Sequence, residues 1–259
     1  MAALVEVRVH PPAGTLVLNR PERRNALSRN LLAELRQGFH DLHQEARVRA
    51  VILTGAGTAF CAGMDLGEMQ ATHESENAFE QWQADAQDYL DVLLAMLYFP
   101  KPIIAAVNGP AVAGGAGLVL ANDLVLAAHA ARSGLPEPRR GIVAGMVAPL
   151  LAFRAGAGAA AELLLTGRLI EAAEAHRRGL YHELIDAENT WVRASALAAE
   201  CALNAPSSLQ LTKRLLNETI GETLFTELSA GAAASAAART TEAAREGLAA
   251  FLEKREPKW

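Results

Sequence analysis

The sequence predicts an α/β core carrying a helical C-terminal tail, on three observations. Short apolar runs crowd the first half, amphipathic helical patterns alternate with them, and the second half is helical in pattern almost throughout. The runs at 15–18, 50–54, 103–107 and 124–127 are apolar at nearly every position instead of every second one, so they read as strands buried on both faces. Between them, 28–47 places Leu31, Leu32, Leu35, Phe39 and Leu42 at helical spacing behind Ser28, whose hydroxyl suits an N-cap. The stretch 75–99 repeats the pattern with Phe79, Trp82, Ala86, Leu90, Leu93 and Leu97. Further on, helices are expected over 159–165, 171–178, 190–203, 207–218 and a long Ala-rich stretch, 222–254, with Asn204-Ala205-Pro206-Ser207 as a stop followed by a new start. On this division residues 1–195 form the core that carries the site and residues 196–259 a helical region. The small side chains between Ala230 and Ala238 suit close helix packing, within the chain or between subunits.

Composition narrows the function classes. A chain of 259 residues, 51% apolar and 20% charged, is neither disordered, collagenous nor coiled coil. With 24 Lys and Arg against 29 Asp and Glu the net charge is −5, which argues against a nucleic-acid partner. Cys61 and Cys201 cannot form a disulfide framework and have no zinc-site spacing, which points to a reducing compartment. The first residues lack a basic segment followed by an apolar one, and the apolar stretch 103–120 is interrupted by Asn108, Gly109, Pro110 and further glycines. A cytosolic protein without a membrane span is the expectation.

Most catalytic motifs are absent. Gly55-Ala56-Gly57 follows a strand run, but the third glycine of a dinucleotide fingerprint would fall at Phe60. No P-loop, G-x-S-x-G or H-E-x-x-H occurs, and His40 and His43, three apart on a helix, have no third metal ligand at a suitable spacing. Three segments remain, each a strand running into a glycine-bearing turn: Phe60-Cys61-Ala62-Gly63-Met64-Asp65-Leu66, the run from Val107 to Gly117 with Gly114 and Gly115, and Ser133-Gly134-Leu135-Pro136-Glu137. Glycines at a helix start expose main-chain N–H groups to an anion, though they equally permit tight packing.

These segments, with Asn19-Arg20-Pro21-Glu22-Arg23-Arg24-Asn25-Ala26-Leu27, Asp123, Thr166-Gly167-Arg168 and Phe251-Leu252-Glu253-Lys254-Arg255, stand in an order that resembles the crotonase superfamily, the enoyl-CoA hydratases and isomerases, over nearly the whole chain. The resemblance implies a crotonase-like spiral of ββα units with a C-terminal helical trimerisation region, assembled as a homotrimer or a dimer of trimers. It implies an acyl-CoA thioester as substrate, with CoA as part of the substrate and no further cofactor or metal.

By the same resemblance, the amides of Met64 and Gly114 hold the thioester oxygen as it becomes an enolate, and Glu137 moves the proton. Hydratases of the family carry a second glutamate after the glycine cluster, where this sequence has Gly117. A lone carboxyl beside an acyl pocket suits double-bond isomerisation or hydratase/lyase chemistry better than simple hydration. An ordinary 2-enoyl-CoA hydratase would need a substitute acid, for which Asp65, Glu68 and His73 lie in the polar stretch 67–77. Arg139 and Arg140 suit either a substrate anion or a structural ion pair. For CoA, the resemblance places adenine against main chain near Ala26, Ala62 and Leu66, and Arg23, Arg24 and Lys254 around the phosphates. The rival from another class is a non-catalytic CoA-fold binding or scaffold protein.

Overall fold

A strand that is apolar on both faces needs cover on both, and the arrangement of the chain supplies it. The structure, a computed structural model, describes residues 3–73 and 75–259. A hairpin of β1 (Val5–His10) and β2 (Ala13–Leu18) leads into helix α1 (Arg29–Gln44), whose first turn is closed by Ser28 Oγ accepting from Leu31 N at 3.2 Å. Strand β3 (Ala50–Gly55) is followed by α2 (Leu66–His73) and α3 (Ala78–Leu97), then β4 (Ile103–Val107), β5 (Ala111–Val112) and α4 (Gly114–Leu120). Next come β6 (Leu124–Ala128), β7 (Arg132–Gly134), α5 (Val147–Ala155), α6 (Ala157–Thr166), β8 (Leu169–Glu171), α7 (Ala172–Arg177) and β9 (Glu183–Ile185). Helices α8 (Thr190–Ala202), α9 (Pro206–Arg214), α10 (Leu224–Ala238) and α11 (Glu242–Glu253) complete the chain.

The main sheet runs β1-β2-β3-β4-β6-β9, antiparallel only at the β1–β2 hairpin, and a second sheet runs β5-β7-β8. Each of β3, β4 and β6 is followed by a short segment that joins the second layer: Cys61, bridged to Ala111, then β5, then β7. This is the expected spiral of strand-strand-helix units. Ala13, Ile52, Ile104, Ala106 and Leu126 face Ala194 and Ala198 of α8, while Leu16, Val51, Leu53, Ala105 and Val107 face the opposite core with α1 and α3. Two alanines at i, i+4 let α8 lie close to the sheet.

The four expected strands and the two long amphipathic helices are present, with α3 starting at Ala78 instead of 75. Strand β1 was outside the expected set: its valines alternate with Glu6, Arg8 and His10, as suits an edge strand with one solvated face. The single helix expected over 222–254 is two. Thr240 and Thr241 hydroxyls bond Ala237 and Ala238 carbonyls, and Thr241 then accepts from Ala244 N to start α11, so local side-chain bonds break the Ala-rich run. The helix expected over 207–218 stays α-helical only to Arg214 and widens into a π-helical stretch, Leu215–Ile220.

The tail closes over the loop that follows Glu137, and glycines set its distance. A Cβ on Gly145 would overlap the Gly231 carbonyl of α10, one on Gly141 (φ 66°) would overlap Ala243, and one on Gly247 of α11 would overlap Arg140. Main chain therefore touches main chain at three points. Helix propensity alone favours alanine over glycine by about 1 kcal/mol, yet Gly231→Ala is expected to lower stability by about 1–3 kcal/mol because the clash is with backbone. A thermal or urea melt of this variant checks it, and an unchanged or raised melting point would contradict the packing.

Candidate active site

The site forms where two chain segments are pressed together. Segment 24–27 lies alongside 61–65 through Ala62 N to Arg24 O (3.0 Å), Leu27 N to Gly63 O (2.8 Å) and Asp65 N to Leu27 O (3.0 Å). The fully buried Asn25 amide adds bonds from Nδ2 to the carbonyls of Ala56, Ala59 and Phe60, and Arg20 pairs with Asp65 at 2.5 Å. On its other side this segment meets the start of α4. Val112 N donates to Cys61 O at 3.0 Å, and Gly115 has no room for a Cβ against the Cys61 carbonyl. A Cβ on Gly63 (φ 89°) would lie 2.8 Å from Ala113 Cβ and 3.3 Å from Gly114 N, which measures how closely the two turns approach.

Ala113, at φ 55° and ψ −127°, caps α4 in a conformation that L side chains adopt at a cost of order 1–3 kcal/mol. The first N–H groups of a helix have no partner within it. Among the described residues neither the Met64 N–H nor the Gly114 N–H donates to a main-chain acceptor. Met64, Gly114 and Glu137 line one cleft.

Glu137 begins the 3-10 turn Glu137–Arg140 and is 5% exposed, and its Oε2 has no hydrogen-bond partner among the described residues. Ala113, Ile142, Ala144, Met146 and Val147 are its apolar company in the cleft. Burial raises its carboxyl from the ordinary 4.5 to about 7, against a smaller opposing pull from its own main chain and Arg140. Such an acid is divided between its two forms near neutrality, as a group that both takes and returns a proton requires.

The space above Gly117 is occupied. A Cβ there would overlap the Tyr89 hydroxyl and lie 2.9 Å from Val147 Cγ2. Tyr89, from the buried face of α3, donates to Gly114 O at 2.5 Å, and burial raises its hydroxyl well above the ordinary value, so it stays neutral and a donor. The bond also holds the peptide that follows Gly114. Nothing local in the sequence marks Tyr89: it sits in a helical repeat beside Leu90 and Leu93 and reads as core.

The three substitute acids have other work. Asp65 pairs with Arg20 and caps α2 by accepting from Gly67 N, Glu68 accepts from Arg29 N, and His73 stacks edge-on to Trp82 at 4.7 Å. None lines the cleft with Glu137. Among the described residues no group of three or more His, Cys, Asp or Glu is placed to hold a metal ion.

Outside the inner cleft, and sharing Ala62, Met64, Leu66 and Arg140 with it, lies a larger open cleft of about 530 Å³. Arg23, Arg24, Ala26, Arg139 and Arg140 line it, and none of these arginines has a carboxylate partner among the described residues. Arg140 lies over the Phe251 ring at 4.2 Å, and Arg139 donates to Thr166 O, so the alternative of a structural ion pair for these two is replaced by a stacked cation and a main-chain bond. Arg255 also lines the cleft but is paired with Glu246 and Glu253. Lys254 is placed at the exposed left-handed C-cap of α11, between Leu252 and Arg255, and is not part of the lining.

A family model for enoyl-CoA hydratase/isomerase matches residues 14–259. A Thermus thermophilus protein with the provisional name of an enoyl-CoA hydratase is 44% identical over 242 residues, 93% of this chain and 95% of the relative. The 1,2-epoxyphenylacetyl-CoA isomerase of Escherichia coli K12 is 32% identical over 246 residues, covering 95% and 94%. The crystal structure of an enoyl-CoA hydratase/isomerase from Xanthobacter autotrophicus Py2 superimposes with a TM-score of 0.89 at 28% identity, over 99% of this chain and 98% of that one.

Burial of Glu137 has a thermodynamic consequence. Its folded-state pKa, about 7, lies above the ordinary 4.5, so the folded protein holds the extra proton and loses stability as pH rises through that window. Glu137→Gln removes the loss. The variant is expected to be more stable than the parent by about 1–3 kcal/mol at about pH 8 and to differ little at about pH 4. Urea titrations at the two pH values check this, and a variant equally stable or weaker at the higher pH would contradict the burial.

Proposed function

The chain belongs to the enoyl-CoA hydratase/isomerase family, and on that footing we propose that it shifts the double bond of an enoyl-CoA with Glu137 as its one proton carrier. Enzymes of this family act on CoA thioesters. In this reading the Glu137 carboxylate takes a proton from C2 of a 3-enoyl-CoA, and the electron pair spreads onto the thioester oxygen. The Met64 and Gly114 N–H groups hold that oxygen as it becomes an enolate. The pair then forms the C2–C3 double bond, the C3–C4 π electrons take the proton at C4, and Glu137 returns to its starting form.

Main-chain donors suit this step because the charge they hold exists only as reaction proceeds, and loss of one such donor costs about 3–4 kcal/mol of transition-state stabilisation. The observation that carries the choice of isomerisation is the Tyr89 hydroxyl standing over Gly117. Adding water needs a second group to hold it, and that space is filled by a neutral donor already committed to a main-chain carbonyl.

The outer cleft supports a CoA site. Ala26, Ala62 and Leu66 offer a surface for adenine, and Arg23 and Arg24 suit the phosphates, whereas Lys254 stands outside the lining. Leu203, Leu211, Leu215 and Leu216 are exposed in the tail and support the assembly of trimers through it.

Incubation with 3-enoyl-CoA and 2-enoyl-CoA, following each product, tests the reading. Isomerisation of the first is expected to outpace hydration of the second, with kcat/KM rising as pH increases through about 7 because the base must be ionised. Glu137→Gln is expected to lower the rate by about 10²–10⁴-fold. Rapid hydration of the 2-enoyl ester, abolished by the same substitution, would overturn the assignment. The double variant Tyr89→Ala, Gly117→Glu frees the space and adds the missing carboxyl, and hydration is expected to rise by about tenfold or more; no gain in a folded double variant would show that the space is not what withholds it.

A further inference from the structure

One part of the inner cleft is not apolar. Where α3 meets α10, the lining changes to Asp85, Ser235 and Arg239. Asp85 is 6% exposed at its side chain, and its oxygens accept from Arg29 Nε (2.6 Å) and Nη2 (3.0 Å) and from Gln81 Nε2 (2.8 Å). Arg239 is 8% exposed at its side chain, stands 3.8 Å from Asp85, and its Nη1 has no hydrogen-bond partner among the described residues. Arg29 is partly exposed and is also faced by Glu68 and Asp88, so Asp85 serves as the counter-ion of Arg239 without bonding it. An unsatisfied donor of a buried guanidinium is left at the wall of the cleft, where it costs about 1–3 kcal/mol.

We propose that this polar part of the cleft receives the terminal carboxylate of the acyl chain, so that the substrate is the CoA thioester of a short unsaturated dicarboxylic acid. The proposal rests on the acyl-CoA reading of the cleft. Arg239 Nη1 supplies the direct hydrogen bond, the Arg29–Asp85–Gln81 group holds the guanidinium in place, and Ser235, one turn before Arg239 on α10, offers a hydroxyl beside it. A terminal methyl would leave the Arg239 donor unsatisfied, and a terminal hydroxyl would offer it a weaker acceptor than an ionised carboxylate does. A site built to bond a polar group rejects the analogue that lacks it.

Saturated esters have no double bond to move or hydrate and so undergo no net conversion, which lets binding be measured apart from turnover. Calorimetric titration of the wild-type protein with a series of short saturated dicarboxylyl-CoA esters, the chain-matched alkanoyl-CoA esters and the ω-hydroxyacyl-CoA esters is the test. At the best-fitting length the dicarboxylyl ester is expected to bind about tenfold or more tighter than either analogue. In Arg239→Met that ratio is expected to fall close to unity, while Arg239→Lys keeps part of it. Equal or tighter binding of the alkanoyl or ω-hydroxyacyl esters to the wild type overturns the proposal and leaves the acyl-CoA reading standing. Failure of all the esters to bind removes both. The wild-type comparison decides the matter even if Arg239→Met does not fold.

Discussion

The contact on which the site depends is main chain against main chain, between the turn at Gly63 and Met64 and the first residues of α4. Gly63 and Gly115 permit it, and the Asn25 amide fastens the turn from behind through three carbonyls. Two N–H groups are left without main-chain acceptors in the same cleft. Under the proposed function these donors, and the unusual backbone of Ala113 beside them, are set in place before an oxygen gains negative charge between them.

The C-terminal helices come down on the loop after Glu137 at Gly141, Gly145 and Gly247, and the resulting burial moves the carboxyl toward neutrality. Tyr89 joins the two halves: its hydroxyl holds the Gly114 carbonyl and fills the volume over Gly117. One tyrosine thereby ties the start of α4 to α3 and, in the proposed reading, occupies the place of a second acid. The tail is therefore part of the site as well as packing for the core, since Ser235 and Arg239 reach the cleft from α10.

How much of this was legible in the sequence depended on how local the signal was. The four buried strands and Ser28 as a cap follow from continuous apolar runs and cap chemistry, which are short-range patterns, whereas Met64, Gly114 and Glu137, which line one cleft, were singled out through the family resemblance of their glycine-bearing turns. Strand β1 escaped because edge alternation over six residues is weak beside fully buried runs. The break between α10 and α11 was hidden because Thr240 and Thr241 leave the helix by side-chain bonds that composition does not reveal. Tyr89, Asp85 and Arg239 were hidden for another reason. Their importance arises where α3 crosses α10, and neither helix alone distinguishes a residue facing a cleft from one facing the core. Gly117 announced a missing carboxyl, and only the fold could name what replaced it.

The central claim, that two amide hydrogens and one buried acid act on the carbon beside a thioester, can be isolated from double-bond chemistry altogether. A saturated acyl-CoA in D2O has no alkene to move or hydrate, yet its C2 protons should exchange if the enolate forms. Proton NMR of such a mixture is predicted to show loss of the C2 signal with the wild-type protein and none with Glu137→Gln. Retention of that signal by an enzyme that still turns over enoyl-CoA, or equal exchange by the variant, would contradict the account.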